Sequence, residues 1–231
     1  SDVCSSDLPS LMTYCLPIYE RILELQSSPI ELATTRTDLG VLLWNLGDPQ
    51  MAKTQLELAL ELRIQAYGGE NHSDVAATHI HLGAIEKQNQ NLDGALEHMT
   101  KALKIQKELV GENHPAVAST YNSIGALYFG KGQWKTAIEN YESALEIHQS
   151  IHGENHIDTA GTLHNIALAL EHMGDPKNAI EKCQRALQIR RDVLGPEAAD
   201  SSDDVANSHY TLGNLFFNTG QLDGALEQHQ A

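Results

Sequence analysis

The sequence predicts an all-α protein, a solenoid of antiparallel helix hairpins stacked in tandem, and three recurring patterns support this prediction. Gly-Glu-Asn-His occurs at residues 69–72, 111–114 and 153–156, each copy 42 residues after the one before. Ala-Leu followed by any residue and an aliphatic one recurs in the same phase, as at 144–147. A small residue is followed twelve positions later by alanine at Gly40/Ala52, Gly83/Ala95, Gly125/Ala137, Ala167/Ala179 and Gly213/Ala225. Patterns that share one phase indicate repeat units that bury their apolar faces against their neighbours.

Each unit is predicted to contain two helices. In the third repeat, the first helix is predicted to bury one face. This face is indicated by the i, i+3, i+4, i+7 spacing of Tyr121, Ile124, Gly125 and Tyr128. After a turn at residues 130–132, a second helix is expected to bury Ala137, Tyr141, Ala144, Leu145 and Ile147. Small residues on these faces allow the two helix axes to approach closely.

The turn between the two helices has a glycine at one phase, at Gly47, Gly132, Gly174 and Gly220. Glycine at a helix C-terminus favours the positive φ with which many helices end. Gln90 occupies the equivalent position in the second repeat. We therefore predict that the second hairpin is less stable than the others.

Unit boundaries follow from the alanine that starts each first helix. The predicted repeats are residues 33–75, 76–117, 118–159, 160–205 and a truncated fifth repeat at 206–231. The fourth is lengthened by residues 196–204, which are predicted to form a polar loop.

The start of the chain is interpreted as half a repeat at residues 9–32, containing only a second helix at about residues 17–25. Cys15, Tyr19 and Ile22 are expected at its alanine and aromatic positions. Residues 1–8 resemble translated adapter sequence and are interpreted as a non-native leader. Both ends then cut through a hairpin, as expected for a fragment of a longer protein.

These units resemble tetratricopeptide repeats. Counted from the start of each unit, a small residue and two alanines stand at positions 8, 20 and 27, as Gly125, Ala137 and Ala144 do. The family's usual repeat has about 34 residues. The 42-residue spacing, with Gly-x-x-His-Pro-x-Val-Ala at 111–118, is similar to that of kinesin light chain and nephrocystin-like proteins. The resemblance implies a right-handed superhelix whose first helices line a concave, peptide-binding face.

The peptide-binding groove is expected on the first helices, opposite their core face. If positions 4, 7, 8 and 11 form the core, positions 2, 5, 6, 9, 12 and 13 share the other face. Asparagine can donate to and accept from a peptide backbone, and exposed aromatic residues are typical of binding hot spots. The candidate groove residues are Trp44, His81, Asn122, Phe129, His164, Asn165, Tyr210, Asn214 and Phe217. The alternative is that some of these aromatic residues pack against the neighbouring repeat.

The residues on this groove face of the first helices argue against one known variant of the tetratricopeptide repeat fold. A carboxylate clamp of the chaperone type uses lysine, arginine and asparagine there, whereas this stripe has one lysine, Lys87, and no arginine. This composition also weakens the expectation of an acidic cargo peptide of the kinesin-light-chain type.

Charge and composition narrow the partners to a protein or peptide. The chain has 15 Lys and Arg against 31 Asp and Glu, a net charge of −16, which disfavours nucleic acid and anionic membranes. No apolar run approaches the roughly 18 residues of a membrane span. Three widely spaced cysteines without a metal or redox spacing favour a reducing, cytoplasmic compartment. The sequence carries no signal for the oligomeric state.

No catalytic, cofactor or metal site is expected. The chain contains no Gly-x-Ser-x-Gly elbow, no phosphate-binding loop and no dinucleotide fingerprint, and Cys183 falls at a core position. His72, His114 and His156 recur at one phase and are interpreted as parts of the turns between repeats. The absence of His-Glu-x-x-His argues against metal binding in the His152–His156 segment.

The expected function is a non-catalytic scaffold that binds a peptide or helix, and resemblance to kinesin light chain suggests a cargo adaptor. One alternative is a ligand-sensing regulatory module of a larger signalling or nucleotide-hydrolysing protein. Another is a purely architectural spacer. Upstream heptads would favour the adaptor, and a phosphate-binding loop would favour the sensor.

Overall fold

The structure, a computed structural model, describes residues 8–26, 28–199 and 201–230. The described residues are mostly helical and contain no strand, which confirms the all-α prediction. Residues 1–7, most of the proposed leader, lie outside the described part. The helices are α1 (Leu8–Leu25), α2 (Pro29–Asn45), α3 (Pro49–Tyr67), α4 (Ser73–Gln88), α5 (Leu92–Val110), α6 (Pro115–Gly130), α7 (Trp134–His152), α8 (Ile157–His172), α9 (Pro176–Leu194), α10 (Pro196–Ala199), α11 (Asp203–Asn218) and α12 (Leu222–Gln230).

The helices form two compact units, one ending at Leu109 and the other starting at Val110. In the first unit α2 packs against α3, α3 against α4, and α1 against α2. One core cluster joins Leu39, Leu43, Leu56, Leu82 and Ile85, which come from α2, α3 and α4. The apolar face of one hairpin is thus buried partly by the first helix of the next.

The second unit repeats this arrangement. Helix α6 packs against α7, α7 against α8, α8 against α9, and α9 against α11, which pairs with α12. Tyr141 of α7 and Ile166 of α8 share one core cluster, and Leu187 of α9 and Leu212 of α11 share another. None of the helices in the described ranges combines the length and the hydropathy that crossing a membrane requires.

Within each hairpin, a small residue of the first helix faces a larger residue of the second helix. A Cβ on Gly125 would lie 2.6 Å from ring carbons of Tyr141, so only glycine fits there. Glycine also stands opposite the leucine, methionine or histidine of three other hairpins: Gly40/Leu56, Gly83/Met99 and Gly213/His229. In the fourth repeat the partner is the smaller Cys183, and Ala167 replaces glycine.

The buried face of the first helices is wider than predicted. On α6, Ile124 and Gly125 are buried as expected, but Tyr121 and Tyr128 are only half-buried. Thr120 and Leu127 are buried instead, and that part of the prediction was wrong. The reason is that α6 contacts both α7 and α8, so two neighbours cover adjoining stripes of one helix. On α7, Ala137, Tyr141 and Ala144 are buried as predicted, whereas Leu145 and Ile147 are half-buried.

The first helix and the inserted segment also differ from the prediction. Helix α1 begins at Leu8, well before residue 17, and contains Pro17 within it. The segment predicted as a polar loop contains a one-turn helix, α10. Its Ala199 is 3% exposed and joins the core cluster of Val205 and Leu212, which explains why the segment folds back on the hairpin.

In the turns within the hairpins, the residues at the predicted glycine position have a positive φ. Gln90 has a φ of +62°, the same left-handed conformation as Gly132 at +72°. Between repeats, Nδ1 of His72, His114 and His156 accepts the backbone N–H two residues on, at 3.2, 3.1 and 3.3 Å. These histidines therefore cap the N-termini of α4, α6 and α8.

Candidate functional site

A polar pocket of about 530 Å³ lies in the second compact unit. It is formed mainly by the first helix of each of three successive repeats. Helices α6, α8 and α11 supply most of its wall, and one residue each from α7 and α9 reaches it. The lining residues are Ser119, Asn122, His148, Ile157, Asp158, Gly161, Thr162, His164, Asn165, Arg190, Asp204 and Asn207. Three predicted groove residues, Asn122, His164 and Asn165, are therefore brought together in one pocket.

Asn122 links two repeats in this pocket. Its Nδ2 donates to Thr162 Oγ1 at 3.0 Å and lies 3.4 Å from His148 Nε2. Asn122 Oδ1 and His148 Nδ1 are buried without a hydrogen-bond partner among the described residues. Since a buried polar atom without a partner costs about 1–3 kcal/mol, these two atoms favour a polar guest.

Arg190 is a feature that the sequence analysis missed, because it comes from a second helix. It is 5% exposed, donates to the backbone oxygen of Asp204 at 2.9 Å and also donates to Ser208 Oγ. Its Nη2 lies 3.9 Å from the Asp204 carboxylate. Burial lowers the pKa of Arg190, and Asp204 opposes this shift. The guanidinium is thus held by its own neighbours, and the Asp204 carboxylate offsets part of its charge.

Arg63 makes the same kind of contact in the first unit. It donates to the backbone oxygen of Asp74 at 3.2 Å and to Thr78 Oγ1. Arg63 and Arg190 each follow the aliphatic residue of the Ala-Leu-x-aliphatic pattern. That shared phase is the sequence signal that could have identified them as contacts between repeats.

His164 is a neutral wall residue. Its pKa is lowered to about 4, chiefly by burial and also by Arg190, while Asp204 opposes the shift. Its Nδ1 lies 4.0 Å from the sulfur of Cys183. Cys183 is fully buried, as predicted, and burial raises its pKa to about 12, so its thiol is protonated and unreactive at neutral pH.

The two aromatic residues Trp44 and Phe129 make contacts within their own units. Trp44 of the first unit packs on the core and donates its indole N–H to Gln88. Phe129 is half-buried, with its ring edge-on to His172 at a centroid distance of 5.1 Å. For both side chains these contacts match the alternative of packing between neighbouring repeats. His81 of the first unit is half-buried, and burial lowers its pKa.

The candidate residues of α11 differ in exposure. Tyr210 and Phe217 are 63% and 64% exposed, and Asn214 is half-buried. Tyr210 borders a second pocket of about 210 Å³ together with His229. Thr211, which shares the predicted stripe, is buried, because α11 packs against both α9 and α12.

The fold and these contacts define a protein of tandem helix-hairpin repeats. The model of the tetratricopeptide repeat family matches residues 31–108, 74–150, 117–192 and 158–231. The chain belongs to the tetratricopeptide repeat family, whose repeats are typical of protein–protein interaction scaffolds. No curated protein has a significantly similar sequence.

Solved structures with the same fold include kinesin-light-chain-like proteins. The BtubC (BKLC) structure from P. vanneervenii has a TM-score of 0.77 and 21% identity, over 98% of this chain and 89% of that one. A kinesin-light-chain-like protein from Podosopora anserina with nearly identical TPR-like repeats has a TM-score of 0.73 and 20% identity, over 89% of this chain and 94% of that one. The apo form of RapI has a TM-score of 0.68 and 18% identity, over 97% and 89%. At these identities the similarity establishes the fold alone.

Proposed function

We propose that the chain is a non-catalytic scaffold that binds an extended peptide in the polar pocket of its second unit. The observation that carries this proposal is the pocket of about 530 Å³ in which Asn122, His164 and Asn165 come together. Asn165 makes no side-chain hydrogen bond to the residues that the structure describes, so its amide is available to a guest. An amide both donates and accepts, and it therefore suits a peptide backbone.

The charges of the pocket favour a neutral or basic peptide. The carboxylates of Asp158 and Asp204 are exposed at its edge. Arg190 is occupied by Asp204 and Ser208, and burial keeps His164 neutral at neutral pH. Because Arg190 and Asp204 offset one another, Asp158 leaves the pocket with a net negative charge, which repels an acidic segment, as does the net charge of −16 over a longer range.

Tyr210 and Phe217 extend the proposed site along α11. Both rings are largely exposed, and aromatic side chains lose little conformational entropy when a partner covers them. A peptide held in the pocket by its backbone would gain affinity by placing an apolar side chain on one of these rings.

The kinesin-light-chain-like neighbours support an adaptor version of this function. An adaptor joins two partners, so we propose that the chain binds its peptide while a second protein uses another surface. The two free cysteines of the described part, Cys15 and Cys183, support a reducing compartment such as the cytoplasm.

The test is selection from a phage-displayed library of random peptides, followed by fluorescence polarisation with the selected peptide. Asn165→Ala and Phe217→Ala are each expected to weaken binding by about tenfold or more, which corresponds to about 1.4 kcal/mol. Both residues lie outside the core, so the melting temperature should change little.

Matched controls are available on the second helix of the fourth repeat. Gln184 and Val193 of α9 are exposed and do not line the pocket. Gln184→Ala removes an amide and Val193→Ala removes an apolar side chain, in each case away from the proposed site. Their affinities are expected to equal that of the wild type. Equal affinity in all four variants would contradict the proposed site, and a library that yields no binder would favour the architectural spacer.

A further inference from the structure

Two histidines and an aspartate meet where the third repeat joins the fourth. His148 and His152 lie four residues apart on α7, and Asp158 lies in the first turn of α8. One ligand atom from each of the three side chains lies within 4.8 Å of the other two. We propose that these three residues form a binding site for a divalent transition-metal ion of the zinc class.

The donor set suits such an ion. Two imidazoles and a carboxylate are a common three-ligand set for Zn²⁺, with bonds of about 2.0–2.1 Å and a fourth position left for water. Tetrahedral ligands are then about 3.3 Å apart, so the three groups must move somewhat closer. His152 and Asp158 are exposed and can rotate, while His148 is fixed by burial.

The surroundings of His148 provide a free ring nitrogen. The side chain is 4% exposed, and its Nδ1 has no hydrogen-bond partner among the described residues. Its Nε2 lies 3.4 Å from the Asn122 amide, whose nitrogen and oxygen can exchange places by a half-turn. Metal binding at Nδ1 requires the ring proton on Nε2, so Asn122 must turn its Oδ1 toward Nε2 and give up its hydrogen bond to Thr162, whose hydroxyl donates to the backbone oxygen of Asp158. An outer partner that fixes the tautomer of a metal-binding histidine is a recurrent feature of metal sites.

His156 supports His152 from the opposite side. The two rings are stacked at a centroid distance of 4.2 Å with an interplanar angle of 20°. Nδ1 of His156 is 3.3 Å from the backbone nitrogen of Asp158 and accepts its N–H. His156 therefore stacks on the His152 ring and caps the helix turn that carries Asp158, and its Nδ1 also lies 3.4 Å from the Asp158 carboxylate.

The equivalent positions of another repeat show what is particular to this junction. In the first repeat, the residues at the positions of the three proposed ligands are Arg63, Tyr67 and Asp74. The Tyr67 hydroxyl donates to the Asp74 carboxylate at 2.6 Å. Arginine and a hydrogen-bonded tyrosine do not bind a divalent cation there. The absence of a His-Glu-x-x-His motif does not bear on His148 and His152, which are four residues apart on α7.

The experiment is a titration of the chelator-treated, untagged chain with CoCl₂, followed by visible absorption, and with ZnCl₂, followed by calorimetry. One ion per chain is expected. His152→Ala and Asp158→Asn change exposed residues, so the variants should remain folded, and both should lose stoichiometric binding. Asp74→Asn, the same change at the first repeat, should bind like the wild type.

A second readout separates the site from adventitious binding. An ion that ties α7 to α8 stabilises the folded state, so ZnCl₂ should raise the melting temperature of the wild type and of Asp74→Asn but not of His152→Ala. The proposal is overturned if the wild type takes up no ion, or if either variant at the site binds it with unchanged affinity. Peptide binding is measured without metal, so failure of this site leaves the proposed function intact.

Discussion

Gly125 and Tyr141 meet across the third hairpin, and the same two positions hold Ala167 and Cys183 in the fourth. The large Tyr141 leaves room only for glycine on the facing helix, whereas the smaller Cys183 leaves room for the methyl group of Ala167. A protein interior is close-packed, so an added methyl group must displace a neighbour. The ring of Tyr141 is stiff and buried, and it has nowhere to move.

We predict that Gly125→Ala lowers the free energy of unfolding by about 1–3 kcal/mol, because its Cβ would overlap the Tyr141 ring. Tyr141→Cys, which leaves a cavity, should cost about 3 kcal/mol. The double variant reproduces the pair of the fourth repeat, so Gly125→Ala should add almost nothing to Tyr141→Cys. Urea denaturation of the four proteins gives the coupling energy.

Gly161 of α8 is the matched control for this cycle. Nothing lies within 4 Å of the Cβ that Gly161→Ala would add. This helical substitution should therefore stabilise the protein by about 0.5–1 kcal/mol. Additive effects of the Gly125 and Tyr141 changes would show that the two side chains do not compete for space.

The hairpin is the element that the sequence predicted best. Its turn, its two alanines and its small residue at position 8 all act within one unit, and their spacing is set by helix geometry alone. The buried width of α6 could not be read in this way, because burial of Thr120 and Leu127 depends on a second neighbouring helix. Helix α10 was missed because it is a single turn whose anchor in the core is the small side chain of Ala199.

The candidate site shows the same limit at the level of elements. Asn122, His164 and Asn165 were found because they share one face of the first helices. Arg190 and His148 enter the pocket from second helices, and no periodicity within one helix predicts that. Only the contact between one repeat and the next brings them there.

The turn of the second hairpin offers a test at this scale. Gln90 has a φ of +62°, and a side chain in the left-handed region costs roughly 1 kcal/mol or more. Gln90→Gly should therefore raise the free energy of unfolding by about 0.5–1 kcal/mol, after the added flexibility of the unfolded chain is subtracted.

The reverse change belongs at the same phase of the third hairpin. Gly132 has a φ of +72° and open space around it, so Gly132→Gln should lower the free energy of unfolding by a similar amount. Urea midpoints measured by far-UV circular dichroism give both values. If both changes have the same sign, backbone strain is not what distinguishes the two turns.

At the scale of the whole molecule, both units contain a histidine held neutral by burial. In the first unit, His79 has a pKa lowered from 6.5 to about 4 by burial, with His98 and Lys101 also lowering it and Glu97 raising it. Its Nδ1 lies 2.9 Å from His98 Nδ1, so one of these two nitrogens donates a hydrogen bond to the other. In the second unit, His164 has a pKa of about 4 as well. Stability of the two units should therefore respond to pH in the same direction.

The sign follows from proton uptake. Between about pH 6.5 and pH 4 the unfolded chain protonates these histidines and the folded chain does not, so the free energy of unfolding falls as the pH falls. From pH 7 to pH 5 the loss should be about 1–2 kcal/mol for each histidine. His79→Leu places at this position the residue type of the fourth repeat, Leu163, and should reduce the slope by one histidine's share. Urea denaturation at each pH measures these values, and an unchanged slope in His79→Leu would show that His79 is not the group that titrates.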